Sequence, residues 1–255
     1  MSPVEERGPL VDYCSRLGDD RLVLGHRLSE WCGHAPILEE ELALANVALD
    51  LIGQAQVLLG IAAEVEGRGR SADQLAFFRE AIDYRNVVLV EQPNGDFART
   101  IVRQFLFDAF DAALTTALRS SADSRIAPWA AKAEAESAYH LRHSRGWVIR
   151  LGDGTEESHG RMEAAIADLW RFTPELFAAD DGERRLVERG IAADTSRLRE
   201  PWLREVAATF AAAGLRVPED GSVAAAPRRG PHSEHLGHLL AEMQIVARSF
   251  PGAEW

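Results

Sequence analysis

The run Leu42–Ala63, LALANVALDLIGQAQVLLGIAA, is apolar on nearly every side and carries one charge, Asp50, near its middle. A helix that apolar around its circumference has to be enclosed by other helices. The carboxylate sharpens the constraint. Taken out of water it must be paired, protonated or metal-bound, because bare burial costs several kcal/mol. Asn46, Asp50 and Gln54 recur at i, i+4 and i+8, which predicts one polar stripe along this rod.

Helical periodicity runs through the rest of the chain. DDRLVLGHRLSEW, with Asp19 and Asp20 read as caps, predicts a helix over 19–33. Pro36 opens the next, over 37–65, because its missing N–H falls where no intrahelical partner exists. SADQLAFFREA gives a short helix capped by Ser71, and a Pro93–Gly95 turn precedes long helices over 96–120 and 124–151. Three further helices fit GRMEAAIADLWRFTPELF, DTSRLREPWLREVAATFAAAG and HSEHLGHLLAEMQIVARSF. NVVLVEQ, residues 86–92, is the one strand candidate, and it is too isolated to build a sheet. Four long helices with a crossover between the second and third predict an antiparallel all-α bundle with peripheral and C-terminal helices. We read 1–255 as one helical domain, with 1–11 a flexible tail and 217–231 a surface loop.

The 255 residues carry a formal net charge of −12, which repels phosphate backbones and argues against nucleic acid as a partner. Cys14 and Cys32 lack metal or redox spacing and read as idle thiols in a reduced compartment. MSPVEERGPL has no apolar signal core, and the sequence suggests no membrane span, so the expectation is a cytoplasmic chain.

Helix bundles use buried carboxylates in one familiar way: a di-iron site takes a Glu from each of two helices and a Glu-x-x-His pair from each of the other two. That pattern fails here in a specific manner. Three residues after Asp50 stands Gly53, which has no ligating atom, and three before His140 stands Ser137. The first helix offers Arg21 where a Glu belongs. Asp50, Asp108 and His140 remain as candidate ligands, too few for two irons. A guanidinium from Arg21 pointing inward would neutralise carboxylates in place of metal charge. Gln104, Asp108, Asp111 and Thr115 form a stripe in the third long helix, and Glu136 lies one turn before His140. The expected buried polar set is therefore Asn46, Gln54, Gln104 and Glu136 beside the degenerate ligand positions.

Several blocks in order also carry a resemblance: LGDDRLVLGHRLSEWCGHAP, LALANVALDLIGQAQ, VEQPNGDFARTIVRQFLFD, YHLRHSRGWVIRLGDGT, LWRFTPELF and HSEHLGHLLAEMQ. Over roughly Val11 to Gly252 the chain resembles the structural, or C, component of the bacterial phenylacetyl-CoA 1,2-epoxidases. The resemblance implies a ferritin-like bundle that holds no metal or other cofactor of its own. It implies a catalytic partner, the A component, which carries the di-iron centre. A small bridging subunit is implied as well, with a reductase that uses flavin, an iron–sulfur cluster and NADPH. Position by position, the catalytic component's ligands fall on Arg21, Asp50, Gly53, Asp108, Ser137 and His140, the departures already found from spacing. The expected role is a non-catalytic structural subunit.

Two other readings stay open at this point. One is a metal-dependent oxygenase or oxidase in its own right, on a reduced site of Asp50, Asp108 and His140. The other is an acyl-CoA-binding module in which Arg228 and Arg229 meet the phosphates. His232, His235 and His238 share no common face, the outer two standing about 120° apart, so they read as packed histidines and not as ligands.

Overall fold

The structure, a computed structural model, describes residues 3–219 and 232–253. Among them every regular element is helical: α1 Pro3–Ser29, α2 Leu38–Glu66, α3 Ala72–Phe77, α4 Val88–Glu91, α5 Phe97–Leu118, α6 Ile126–Gly152, α7 Glu156–Leu169, α8 Asp181–Glu188, α9 Thr195–Ala212 and α10 Glu234–Ser249, with 3-10 turns at Ala81–Asp83 and Trp170–Phe177. The fold is all-α and of the ferritin-like bundle class, its four long helices forming two hairpin pairs, α1–α2 and α5–α6. The chain groups into two compact units. One comprises Met1–Pro93, Asp181–Leu186 and Arg228–Trp255; the other comprises Asn94–Asp180 and Val187–Pro227.

In the first unit α1 and α2 approach closely because two glycines seven residues apart face the seam. A Cβ on Gly25 would stand 2.9 Å from Ile52 and 3.1 Å from the Ala48 carbonyl, and one on Gly18 would stand 3.0 Å from Leu59. Helix α2 begins with Glu39, Glu40 and Glu41 in its first turn, where the helix dipole favours negative charge, and ends on Gly67 in the left-handed region at φ 69°. Charges inside this unit are paired. Asp19 receives Arg79 (Nη1 at 2.9 Å) and the Arg85 N–H, Asp20 receives the Val87 N–H, and Arg16 donates to Glu183 at 2.9 Å. Buried Glu91 gathers Asn86, His232 and both the N–H and hydroxyl of Ser233, which fastens the start of α10. Ser233 holds the N-cap position of α10 without a side-chain capping bond, its hydroxyl turning to Glu91 instead.

The second unit packs α5 against α6, α7 and α9. Asp96 caps α5 by accepting the Arg99 N–H at 2.8 Å, and Thr155 opens α7 with a reciprocal capping box. Trp202 lies on Trp170 and Phe177 and donates its indole N–H to the Leu106 carbonyl at 2.9 Å.

Three expectations change. Residues 3–11 are the opening turns of α1 and not a tail. Asp19 and Asp20 sit in mid-helix, buried, and are no caps. The supposed strand 86–92 holds the single helical turn α4; the Asp20 carboxylate takes the Val87 N–H that a ladder would have used. Helix α2 alone among the described helices is long and apolar enough to cross a membrane, by length and composition, as the core helix of a bundle also can be, and its inner face is packed on α1. Of the proposed loop 217–231, residues 220–231 lie outside the described residues, Arg228 and Arg229 with them.

Candidate functional site

The degenerate ligand positions divide between the two units. In the first, Arg21 is fully buried and does turn inward. Its Nε donates to Gln54 Oε1 at 2.8 Å and its Nη1 to the Leu17 carbonyl at 2.9 Å. The rest of the expected α2 stripe is not buried with it: Asn46 is exposed and Asp50 only half-buried, and the degenerate ligand position Gly53 is exposed as well. The reason is rotational. Each four-residue step advances the helix face by about 40°, so Asn46 and Gln54 point about 80° apart and only Gln54 reaches α1.

In the second unit α5 and α6 bring a tighter set together. Asp108 and Asp111 are buried one turn apart on α5, against Ser137, His140 and Ser144 on one face of α6. Ser144 Oγ donates to Asp108 Oδ2 and Gln104 Nε2 to Oδ1, each at 2.7 Å, while Ser137 Oγ donates to Asp111 Oδ2 at 2.6 Å. Burial first, with the Asp111 charge adding to it, pushes the Asp108 carboxyl up to about 8 against the pull of its two donors. At neutral pH Asp108 is mostly protonated. Gln104 Oε1 is buried without a hydrogen-bond partner; turning that amide over would present Oε1 to the proton of Asp108. Glu136, expected in the buried set, is only half-buried.

This chemistry does not suit a di-iron centre. Ser137 stands at a carboxylate position and is committed to Asp111, Gly53 has no donor atom and points outward, and Arg21 brings a positive charge. Among the described residues no three His, Cys, Asp or Glu side chains form a group able to hold a metal. The buried acids are met by hydroxyls, an amide and a proton.

The sequence pointed to Arg21, Gln104, Asp108 and His140 and missed Ser144. Its signal was available: Ser137, His140 and Ser144 follow i, i+3, i+7, one face of one helix. The Asp19–Arg79 and Arg16–Glu183 pairs were also missed, because their partners lie 60 and 167 residues apart.

Outside these cores, large apolar side chains are exposed in two groups. Ile37, Leu38, Leu42, Leu49 and Val57 run along the outer side of α2 and the turn before it; Phe78, Ile82, Ile245, Val246 and Phe250 gather on α3, the following 3-10 turn and α10. The chain is 52% identical over 246 residues to the C component of the 1,2-phenylacetyl-CoA epoxidase of Escherichia coli (strain K12), covering 96% of this chain and 99% of that one. Residues 1–255 match the family described as phenylacetic acid catabolic protein, and the chain belongs to that family.

Proposed function

We infer that this chain is the structural subunit of a phenylacetyl-CoA 1,2-epoxidase, carrying no metal and supporting a separate di-iron subunit that performs the ring chemistry. The observation that carries the reading is the α5–α6 core, in which Ser137 and Ser144 satisfy Asp111 and Asp108 where a metal bundle would present ligands. A protein relieved of metal binding is free to serve as a packed, rigid partner. Binding then stabilises the catalytic chain by mass action, since the complex forms only with the folded state. The α2 seam supplies a docking face. Leu38, Leu42, Leu49 and Val57, with Gly53 among them, follow the three- and four-residue steps of a helix–helix contact. On this reading the flavin, iron–sulfur and NADPH chemistry belongs to a reductase component, and a small bridging subunit belongs to the same assembly.

Two measurements test it together. Co-expressed with the catalytic subunit, this chain should co-elute with it on size exclusion at micromolar concentration. Purified alone from iron-supplemented cells, it should carry close to no iron or manganese. Separate elution would remove the partner role. One or two metals per chain, lost on His140→Ala, would return the oxygenase reading.

A further inference from the structure

We propose that the cleft between α3 and α10 is a second docking surface, distinct from the α2 seam, built for a cationic amphipathic helix of another protein. Single exposed apolar residues are ordinary, whereas contiguous ones mark interaction sites. Here Ile245, Val246 and Phe250 stand 60%, 51% and 61% exposed in the last turns of α10 and just past its end, with Phe78 at 45% on the facing segment. Between Phe78 and the Val246 and Phe250 side of α10 runs a cleft of about 350 Å³ lined by Asp73, Phe77, Phe78, Met243, Val246 and Phe250. Another, of about 470 Å³, lies on the opposite flank of α10 beside Leu240 and Ile245.

The apolar face is not the helix's own means of attachment. Polar contacts pin α10 along its length. Glu91 holds Ser233 and His232 at the start, and Gln244 Nε2 reaches the Ala76 and Arg79 carbonyls, each at 3.1 Å, in the middle. Arg248 reaches the Phe77 carbonyl at 3.1 Å and Glu80 at 2.8 Å near the end. With the helix fixed by these bonds and by buried Leu236, Leu239 and Leu240, its outward residues are left over for a partner.

Charge selects the occupant. Asp73 lines the α3 cleft, and Asp83 and Glu242 are exposed on the neighbouring elements. The cation lining the cleft on the opposite flank, Arg248, is taken up by Glu80 and two carbonyls. An apolar cleft that carries Asp73 and no cation in its lining fits a helix with an apolar stripe flanked by Lys and Arg. A second copy of this chain would bring the same carboxylates and repel it, in a molecule already at net charge −12.

The test is a titration of the full chain with two synthetic helical peptides as long as α10, one patterned from Leu and Lys, the other identical with Glu for Lys, followed by calorimetry. The Leu/Lys peptide is expected to saturate at one per chain and to lose about thirtyfold in affinity in the Ile245→Glu/Phe250→Glu variant, the size of a lost interface anchor. Asp73→Lys/Glu242→Lys should weaken it as well, whereas Leu42→Glu/Leu49→Glu should leave it unchanged. All these positions are exposed or at the surface, and circular dichroism confirms that each variant is folded. Three results overturn the proposal: no saturable binding, equal binding of the Leu/Glu peptide, or binding that survives in Ile245→Glu/Phe250→Glu. A dimer in sedimentation that disappears in that same variant also overturns it, by making the occupant a second copy.

Discussion

Asp108 is the residue on which the chemistry of the core turns. Its folded value of about 8 lies above the ordinary 3.8, so the folded state holds a proton that the unfolded chain releases. The stabilisation from that proton is complete below the unfolded value and is lost as pH climbs through about 8. Across this window stability should fall by at most about 1.4 kcal/mol per pH unit. Asp108→Asn, which keeps the shape and cannot ionise, should flatten the fall; denaturant melts at pH 5, 7 and 9 measure both slopes, and parallel slopes would show that Asp108 is not the group responsible. Ser137→Ala acts on the neighbouring acid. Removing a hydroxyl from a buried carboxylate should cost about 1–3 kcal/mol, read as a lower denaturation midpoint. At this scale the sequence was informative where one helix faces another squarely. Ser137, His140 and Asp108 could be placed from spacing, but Asn46 and Asp50 could not, because a four-residue stripe drifts around the helix and its far end meets water.

The α1–α2 hairpin shows what helix pairing demands of small residues. Alanine is intrinsically better than glycine in a helix by about 1 kcal/mol, so Gly53→Ala, with nothing within 4 Å of the new methyl, should raise stability by up to that amount. Gly25→Ala has the same propensity gain and the opposite outcome. Its methyl meets Ile52 at 2.9 Å and the Ala48 carbonyl at 3.1 Å, so the helices must separate, at a cost of about 1–3 kcal/mol. Thermal melts of the two variants should therefore move in opposite directions; a shared direction would mean that the seam yields easily. Helix positions were legible because apolar periodicity and caps are local. The 86–92 segment was not. Its β-branched run favours a strand, and what overrides that preference is the Asp20 carboxylate, 67 residues away.

For the whole molecule, the sequence offered no linker or composition shift to mark two units, since the first is completed by segments from later in the chain, Asp181–Leu186 among them through Glu183 on Arg16. Nor could it separate apolar residues that build cores from those left at the surface. Those left over form two surfaces of different physical character, and salt should tell them apart. The α2 seam is centred on Leu42, Leu49 and Val57, so the complex proposed there would rest on apolar burial. Affinity there should change little between about 0.1 M and about 1 M salt, although the screening length shrinks from about 10 Å to about 3 Å. Leu42→Glu/Leu49→Glu should abolish that complex while leaving the melting temperature of the isolated chain nearly unchanged, because neither side chain is part of its core. The α10 cleft, with Asp73 in its lining and Glu242 exposed on α10, should lose its cationic ligand over the same range. A heterodimer that dissociates as salt rises would place charge at the centre of the α2 interface and move the docking face elsewhere on the molecule.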